Sequence, residues 1–400
     1  MDIIERKIDL LNNKMINTVQ KSGYLSSHRH LHALKTTKRH QFIPSLFEKN
    51  TKQWEEYILN YQNPQAEILE KIYVDQPLVI SIKDNQVHTT SSQPTVMAMM
   101  VEAGKLVSGM RVLEIGTGSG YNAAFLAEVT QKQESVVTME IDKQIFNLAQ
   151  ENLKRAGYDK IITVNKDGGF SEPIYAPYDS ILVTCAATDI SRRWIDQLKL
   201  HGTLVMPLAT KGVEVLLKLD KIDDAEMIGT PISYVRFLRL QGITSMINHY
   251  HLDAKKFHSF ERLLKKDAKF DKPLNEMFAQ NFHRKKILDF AFYLSLVEPD
   301  MITYEDDSDD NLGLGYGIWK KDTENGGLIL VFPGKVFHYG GEGIKDLILK
   351  YVEDFHALGN PTLNNYSIEI TSSFKPLESK NNLFWNIRRR NLNTLFILNK

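Results

Sequence analysis

The sequence feature that most constrains the fold is a glycine-rich stretch between a short apolar run and a helical pattern. Residues 112–115 read Val-Leu-Glu-Ile, and residues 116–120 read Gly-Thr-Gly-Ser-Gly. The apolar run predicts a buried strand, and the alternating glycines predict a tight turn whose backbone a ligand can approach closely. Apolar residues at helical spacing follow at 121–129. Strand, glycine turn and helix in this order indicate the first unit of a nucleotide-binding α/β sheet.

The same alternation of apolar runs and helical patterns continues to about residue 240. Further strands are predicted at 136–141, 161–164, 180–184 and 203–207, and a pair at 213–219 and 232–240 is predicted as an antiparallel edge. Short strands that alternate with helices predict a parallel sheet with crossover helices. We therefore expect a doubly wound, Rossmann-like α/β sheet.

The spacing of the glycines bears on the cofactor. The pattern is Gly-x-Gly-x-Gly, and it lacks the third glycine that is spaced for the pyrophosphate of a dinucleotide. It resembles the first motif of class I S-adenosylmethionine-dependent methyltransferases. That resemblance implies that Glu114 faces the cationic amino-acid end of S-adenosyl-L-methionine and that Gly116, Thr117 and Gly118 line the cofactor.

Two more acidic residues lie at or just after the ends of predicted strands. Glu140 lies in the second strand, about 20 residues past the glycines, where a carboxylate can accept both ribose hydroxyls. Asp167 and Gly168 follow the third strand, and Asp167 is placed to accept from the adenine amino group. Taken singly, Glu140 also suits a helix N-terminus, and Asp167-Gly168 suits an ordinary turn. Three elements in this order favour a cofactor site.

Bulk properties exclude several classes of protein. A chain of 400 residues exceeds the size at which one core keeps growing, so two domains are expected. Lys plus Arg equals Asp plus Glu at 49 each, which gives no electrostatic case for binding nucleic acid or an anionic membrane. A single cysteine, Cys185, argues against a disulfide framework and a Cys-rich zinc site, and no metal is expected. No signal peptide and no spanning apolar run are visible, which favours the cytoplasm.

Three regions are predicted along the chain: a polar helical segment at 1–45, a methyltransferase domain at 46–244 and an α+β domain at 245–400. The basic residues between 28 and 40 are interpreted as a solvated helix face, because no carboxylate or cysteine completes a metal-ligand set. An acidic stretch at 305–310 is interpreted as a solvated loop. Four aromatic residues of the last domain suit peptide binding, although a place in its core is favoured: Trp319, Phe337, Tyr339 and Trp385.

From about residue 34 to residue 240 the chain resembles the protein-L-isoaspartate O-methyltransferase family. Several segments match in order, at 38–44, 73–78, 92–94, 112–121, 156–158, 166–168, 177–181 and 204–207. The glycine motif is generic, but Asp-x-Pro-Leu followed by Ser-Gln-Pro is specific to this family. The resemblance implies methyl transfer from S-adenosyl-L-methionine to a carboxylate of an isoaspartyl or aspartyl residue in a protein or peptide.

The resemblance also implies roles for two residues on the substrate side. Ser92 would lie at the reaction centre, near the methyl group and the acceptor carboxylate, and Asp75 would lie in a substrate-side loop. An alternative for Ser92 is to cap the helix that follows Pro94. A carboxylate with a reference pKa near 4 is ionised at neutral pH, so the reaction requires positioning and partial desolvation but no general base.

Two departures from the family leave the acceptor open. Family members commonly have Gly-Gln-Thr-Ile-Ser where residues 88–92 read His-Thr-Thr-Ser-Ser, and about 160 residues follow the usual end of the family. Both features are similar to homologues that tailor ribosomally made peptides by methylating one Asp side chain, which then forms an aspartimide. A non-catalytic module that binds S-adenosylmethionine or a peptide is a second alternative. A base-binding motif is absent after the fourth strand, which disfavours a nucleic-acid methyltransferase, and the oligomeric state stays open.

Overall fold

A computed structural model of the chain describes residues 3–50, 53–243, 251–252, 269–270, 272–282, 284–305, 314–320, 327–332, 334–340, 342–372, 383–388 and 392–399. The chain divides into two compact units. Unit 1 comprises Met1–Pro207, Lys218–Ile228 and Arg236–Ser245, and unit 2 comprises Leu208–Leu217, Gly229–Val235 and Met246–Lys400. The sequence places boundaries near residues 45 and 244, whereas the helices of the first 45 residues fall inside unit 1.

Unit 1 begins with three helices and a small antiparallel sheet. The helices are α1 (Ile3–Lys21), α2 (His28–Thr36) and α3 (Ala66–Ile72), and the strands are β1 (Ser45–Asn50), β2 (Gln53–Ile58), β3 (Leu78–Lys83) and β4 (Gln86–Ser91). The strands run in the order β2-β1-β3-β4, and each neighbouring pair is antiparallel. Helix α1 is amphipathic, with apolar residues three or four apart on its buried face. They are Ile8, Leu11, Met15, Ile16 and Val19.

The basic residues at this end of the chain form the predicted solvated helix face only in part. Four of them are exposed, as the sequence predicted: His28, Arg29, His32 and Lys35. Arg39, however, is fully buried, and His30 is buried with its Nδ1 3.0 Å from Glu102 Oε1. Burial and two nearby cations lower the pKa of His40 to about 4, so this imidazole is neutral at pH 7. The prediction was wrong for these three because their partners lie far away in sequence, where a local charge pattern cannot indicate them.

A parallel sheet forms the centre of unit 1. Its strands are β5 (Val112–Ile115), β6 (Val136–Glu140), β7 (Ile162–Asn165), β8 (Tyr178–Val183) and β9 (Leu198–Ala209). They run in the order β9-β8-β5-β6-β7, and every neighbouring pair is parallel. All four residues of β5 are buried, as expected for parallel strands covered on both faces. The predicted doubly wound α/β sheet is confirmed.

Four helices connect or flank these strands: α4 (Pro94–Ala103), α5 (Tyr121–Thr130), α6 (Lys143–Arg155) and α7 (Arg192–Gln197). Helix α6 begins where Asp142 Oδ1 accepts from the backbone N–H groups of Gln144 (2.8 Å) and Ile145 (3.0 Å). This cap satisfies two donors that the first helical turn leaves free. It fixes the start of α6 directly after β6.

Strands β10 (Glu214–Lys221) and β11 (Glu226–Tyr234) follow β9 in the sheet order. The sequence predicted the second of these strands at 232–240, which is too late in the chain. Asp223 Oδ1 accepts from Ala225 N (2.7 Å) and so holds a turn directly before β11. The apolar alternation at 232–240 therefore belongs partly to the end of the strand and partly to the loop beyond it.

Unit 2 combines helices with mostly antiparallel strands and is α+β, as the sequence predicted. Its helices are α8 (Lys272–Asn281), α9 (Arg284–Val297) and α10 (Glu342–Ala357), and its strands are β12 (His251–Leu252), β13 (Lys269–Phe270), β14 (Met301–Glu305), β15 (Leu314–Lys320), β16 (Gly327–Phe332), β17 (Lys335–Gly340), β18 (Tyr366–Thr371), β19 (Leu383–Arg388) and β20 (Asn393–Leu398). One sheet has the order β12-β14-β15-β16-β17-β13. Strand β20 pairs antiparallel with both β18 and β19.

The aromatic residues of unit 2 that suited peptide binding pack mostly inward. Trp319, Phe337 and Tyr339 contact a buried cluster that includes Tyr304 and Phe332. Their burial accounts for these side chains without a bound peptide. The acidic stretch predicted at 305–310 lies almost entirely outside the described residues.

The described part of the chain contains neither a membrane-spanning helix nor a group of metal ligands. None of the described helices is long and apolar enough to cross a membrane. Within the same residues, no three His, Cys, Asp or Glu side chains are grouped so that they could hold a metal ion.

Candidate active site

The glycine-rich turn joins β5 to α5 at the carboxyl ends of the parallel strands. Gly116, Gly118 and Gly120 have φ angles of 102°, 54° and 84°, which favour glycine. A Cβ on Gly116 would lie 2.7 Å from both Cys185 Sγ and Thr184 Oγ1, so a side chain there would clash. The turn therefore requires glycine, and without side chains its backbone is open to the close approach of a ligand.

Glu114 is fully buried beside this turn. Its Oε1 accepts from Asn122 Nδ2 (2.7 Å), and its Oε2 accepts from Thr138 Oγ1 (2.6 Å). Thr138 Oγ1 also lies 2.7 Å from Thr117 Oγ1. Burial raises the pKa of Glu114 to about 7, against the effect of these hydrogen bonds. Both carboxylate oxygens and the Thr117 hydroxyl are thus engaged within the protein, which favours support of the turn by these side chains over direct contact with a ligand.

Glu140 ends β6 and lies against the glycine turn. Its Oε2 accepts from Gly118 N (3.2 Å), and its Oε1 accepts from Asp142 N (3.2 Å). Burial raises the pKa of this carboxyl above its ordinary value. Each carboxylate oxygen can accept more than one hydrogen bond, so the group retains capacity for a ligand hydroxyl.

Asp167 lies after β7 and is covered by residues from much later in the chain. Its Oδ2 accepts from Ile243 N (2.8 Å), and a Cβ on Gly242 would lie 2.2 Å from the same oxygen. Gly168 is buried, and a Cβ there would lie 2.3 Å from Ile115 Cγ2. Packing against β5 therefore requires glycine at 168. No local pattern indicated that residues 242–243 would border Asp167.

Strand β4 contacts the glycine turn and ends directly before Ser92. Ser119 Oγ donates to Ser91 Oγ (3.2 Å), and a Cβ on Gly118 would lie 3.2 Å from Thr90 O. Ser92 accepts a hydrogen bond through its carbonyl oxygen, whereas no residue in the described part of the chain pairs with its hydroxyl. The Ser92 hydroxyl is thus left without a partner among these residues, one position after the serine that contacts the turn.

The segment that departs from the family pattern, residues 88–92, makes these contacts with the glycine turn and the helix after β6. In addition to Thr90 and Ser91, His88 contributes its Nε2, which lies 3.1 Å from Asp142 Oδ2. Two of its unusual polar residues, His88 and Ser91, therefore have side-chain partners inside unit 1.

Asp75 fixes the start of α4. Its Oδ1 accepts from Thr95 N (2.8 Å), and its Oδ2 accepts from Thr95 Oγ1 (2.7 Å) and Gln93 Nε2 (3.2 Å). The residue at the N-cap position is Gln93, whose side chain makes no capping bond, so the alternative that Ser92 caps this helix is wrong. The cap comes instead from Asp75, and it ties the Asp75 loop to the segment that carries Ser92.

Three polar residues that were not predicted to belong to the site donate hydrogen bonds to predicted site residues. Asn122 and Thr138 donate to Glu114, and Thr95 donates to Asp75. Each is a polar residue in or beside an apolar run, as in Val-Val-Thr-Met-Glu of β6. Because buried polar groups require hydrogen-bond partners, an isolated polar residue in a buried element is the signal that could have found them.

Cys185 lies beside Gly116 but is unsuited to act as a nucleophile. Burial raises its pKa to about 12, and the carboxylates of Glu140 and Glu114 act in the same direction. The group is therefore a thiol at neutral pH.

Comparisons with known proteins identify the family of the chain. A family model described as Protein-L-isoaspartate(D-aspartate) O-methyltransferase matches residues 10–245. The protein-L-isoaspartate O-methyltransferase of Methanosarcina mazei is 34% identical over 212 residues, which cover 53% of this chain and 76% of that protein. The relative of the same name from Methanococcoides burtonii is 32% identical over 228 residues, which cover 57% of this chain and 98% of that protein.

The fold likeness reaches further along the chain. A solved structure of a protein-L-isoaspartate O-methyltransferase has a TM-score of 0.51 and 23% identity, and the match covers 90% of this chain and 96% of that one. The family model by itself matches more than half of the 400 residues. The chain therefore belongs to the protein-L-isoaspartate(D-aspartate) O-methyltransferase family and is a protein carboxyl O-methyltransferase.

Proposed function

We propose that this enzyme methylates the α-carboxylate of L-isoaspartyl residues in polypeptides of varied sequence, with S-adenosyl-L-methionine as the methyl donor. The observation that carries the proposal is the contact between β4 and the glycine turn, with Ser119 Oγ 3.2 Å from Ser91 Oγ. This contact supports a site in which the Ser92 hydroxyl and an open backbone turn face the same bound molecules. Family membership supports the reaction, and the geometry supports the place of the reaction.

The residues around the glycine turn fit S-adenosyl-L-methionine. When bound, this cofactor supplies a methyl group on a sulfonium, which is a good leaving group. We propose that Glu140 accepts from the ribose hydroxyls, because its carboxylate lies at the turn with acceptor capacity remaining. Asp167 would border the adenine, and Gly168 keeps its segment close to β5.

The other predicted cofactor residues would act through the backbone or through charge. Gly116, Thr117 and Gly118 would present main-chain groups to the cofactor, since the Thr117 hydroxyl is engaged by Thr138. Glu114 would supply negative charge from inside the fold to the cationic amino-acid end. A cation at that end would favour the charged form of Glu114, whose pKa burial raises to about 7.

Replacing Glu140 with glutamine is expected to weaken the binding of S-adenosyl-L-methionine about tenfold, because the amide loses one charge-assisted acceptor. The Kd is to be measured by isothermal titration calorimetry. The melting temperature of the ligand-free protein should stay the same or rise, since burial makes the charged carboxylate unfavourable in the fold.

The matched control for this change is Glu128→Gln. Glu128 also accepts a side-chain hydrogen bond, from Tyr158 OH (2.9 Å), but it lies in α5 away from the turn. Its replacement should leave the Kd unchanged. An unchanged Kd for Glu140→Gln would remove Glu140 from the cofactor site.

On the acceptor side, the chain has to bind and orient a carboxylate that is already ionised. A reference pKa near 4 makes it a nucleophile at neutral pH without a base. We propose that the Ser92 hydroxyl donates to one carboxylate oxygen and so directs the other toward the methyl group. The Cys185 thiol, with its pKa raised to about 12, does not compete as an acceptor.

A cavity of about 470 Å³ beside the Asp75 loop supports a polypeptide substrate. Val74, Gln76 and Pro77 contribute to its lining. Most charged side chains in the same wall are paired: Lys71 Nζ contacts Glu48 Oε2 (2.6 Å), and Glu70 Oε1 contacts Lys7 Nζ (2.5 Å). A wall whose charges are mostly paired discriminates weakly among charged substrates, which supports tolerance of varied sequences.

The alternative of a dedicated peptide-tailoring enzyme is not favoured. The unusual residues at 88–92 contact the glycine turn, and the likeness to a solved protein-L-isoaspartate O-methyltransferase at the level of fold covers 90% of this chain, which includes much of unit 2. The second unit is therefore not a mark of tailoring. Peptide binding by residues 245–400 stays a prediction, and no observation favours a non-catalytic module.

The proposal is tested with two peptides that are identical except for L-isoaspartate or ordinary L-aspartate at one position. Incubation with enzyme and S-adenosyl-L-methionine should add the mass of one CH₂ group to the isoaspartyl peptide alone, as read by mass spectrometry. An isoaspartyl peptide with its α-carboxyl amidated is the control, because it lacks the acceptor. Methylation of the aspartyl peptide at the same rate, or of neither peptide by enzyme that binds the cofactor, would contradict the proposal.

A further inference from the structure

Arg39 is a fully buried cation whose hydrogen bonds go to main-chain carbonyl oxygens. Its two terminal nitrogens share five of them. Nη1 donates to the carbonyl oxygens of Ile72 (3.2 Å) and Val74 (2.6 Å), and Nη2 donates to those of Gln76 (2.8 Å), Ser91 (3.4 Å) and Ser92 (3.0 Å).

These carbonyl oxygens belong to two segments that are separate in sequence. Residues 72–76 run from the end of α3 through the loop that contains Asp75, and residues 91–92 are the end of β4 and Ser92. The planar guanidinium faces the first segment with one nitrogen and bridges both segments with the other. A single side chain therefore links the two segments on the acceptor side of the site.

The burial of this cation is costly, so the arrangement calls for an explanation. Desolvation lowers the pKa of Arg39 to about 10, which leaves the group charged at neutral pH. The charge of Asp75 favours the cation, but no carboxylate among the described residues forms a salt bridge with it, and the five carbonyl oxygens supply its hydrogen bonds. An apolar residue would fill the space at lower cost but could not bridge two loops.

A third segment packs on the same guanidinium. Arg39 Cζ lies 5.7 Å from the ring centroid of Tyr121, the first residue of α5. Tyr121 directly follows the glycine turn, so the cation contacts residues 72–76, residues 91–92 and the first residue of α5. The Nε of Arg39 has no hydrogen-bond partner among the described residues, so its two terminal nitrogens make all of these hydrogen bonds.

We propose that Arg39 is a positioning residue for methyl transfer: by holding residues 72–76 and 91–92 together, it sets the place of the Ser92 hydroxyl relative to the glycine turn. This inference rests on the proposed role of Ser92. Displacement of a reacting group by about 1 Å can cost about a hundredfold in rate, so loosening these loops should be visible in catalysis.

The test is Arg39→Lys, alone and combined with Ser92→Ala, in the full-length enzyme. An ammonium group keeps the charge but cannot span both segments. We expect kcat/KM for an isoaspartyl peptide to fall about tenfold in Arg39→Lys, with an unchanged Kd for S-adenosyl-L-methionine. If Arg39 acts through Ser92, the double variant should be no slower than Ser92→Ala alone.

The matched control is Lys221→Met. Lys221 is also buried and donates to two backbone carbonyl oxygens, those of Ile195 (3.0 Å) and Leu198 (3.1 Å), but it lies away from Ser92. The Lys221→Met variant should have a lower melting temperature than the wild type, with an unchanged kcat/KM when it is measured below that temperature. Effects of Arg39→Lys and Ser92→Ala that multiply, or equal losses of kcat/KM and cofactor affinity in Arg39→Lys, would overturn the inference.

A second variant keeps the test decisive if Arg39→Lys does not fold. Thr95→Val removes the Oγ1 bond to Asp75 (2.7 Å), which ties residues 72–76 to the start of α4 just after residues 91–92, and keeps the shape of the side chain. It should lower kcat/KM, again without further loss in combination with Ser92→Ala, and an unchanged kcat/KM would overturn the inference. If Ser92→Ala alone leaves kcat/KM unchanged, the proposed acceptor site itself fails, whatever Arg39 does.

Discussion

Replacing Ser92 with alanine is expected to lower kcat/KM for methylation of an isoaspartyl peptide about a hundredfold, with little change in the Kd for S-adenosyl-L-methionine. Ser92 directly follows β4, whose last residue, Ser91, contacts the glycine turn. None of the described residues pairs with the Ser92 hydroxyl, which leaves it available for a substrate. Its loss removes one donor to the acceptor carboxylate and leaves the cofactor contacts intact. Steady-state kinetics and calorimetric titration of the same preparation provide the two quantities.

Ser81→Ala is the control for this change. Ser81 is a half-buried serine of β3, in the same hairpin, and its replacement should leave both quantities unchanged. Equal losses of kcat/KM and cofactor affinity in Ser92→Ala would show that the residue supports the fold of the site and does not touch the acceptor.

The stability of the ligand-free protein is expected to carry a pH dependence from Glu114. Burial raises the pKa of this carboxyl from 4.5 to about 7, so between these values the folded state holds a proton that the unfolded state has lost. The contribution of Glu114 to the free energy of unfolding is therefore complete below about pH 4.5 and is lost as the pH rises to about 7. At about 1.4 kcal/mol for each pKa unit, the loss is about 3 kcal/mol.

Glu114→Gln isolates this effect, because an amide resembles the protonated carboxyl. The variant and the wild-type protein should unfold in urea with similar free energies near pH 4.5, and the variant should be the more stable above pH 7. Free energies that differ by the same amount at every pH would show that Glu114 is ionised throughout the range.

Glu102→Gln should behave in the opposite way. Burial alone would raise the pKa of Glu102, but hydrogen bonds from His30 and the backbone of Ser26 and Ser27 lower it overall. Its contribution to stability is therefore present above the unfolded pKa and is lost as the pH falls. The Glu102→Gln variant should be less stable than the wild type near neutral pH, with a difference that shrinks in acid.

The sequence was sufficient for the elements in which local pattern and tertiary structure agree. The buried run 112–115, the glycines at 116, 118 and 120 and the Asp142 cap each predict a local conformation that the structure has. These features depend on neighbours a few residues away, because strand burial, positive φ and helix capping are local demands on residue type.

Assignments failed where a side chain has its partners far away in sequence. Arg39 reads as one more basic residue in a helical segment, yet its partners lie 33 to 53 residues later. The cap of α4 comes from Asp75, 20 residues before the Thr95 N–H from which it accepts, and not from Ser92, the alternative that lies nearer in sequence. Ile243, which donates to Asp167, lies 76 residues after it.

By itself, the sequence determined the doubly wound sheet, the place of the glycine turn within it and the family of the chain. Hydrophobic periodicity and glycine spacing suffice for these because they are written in consecutive residues. Only the tertiary structure decided that Arg39 is buried between two loops, that Asp75 holds α4 and that none of the described residues pairs with the hydroxyl of Ser92. Burial and hydrogen bonding between distant segments create those properties, and no single segment contains the information.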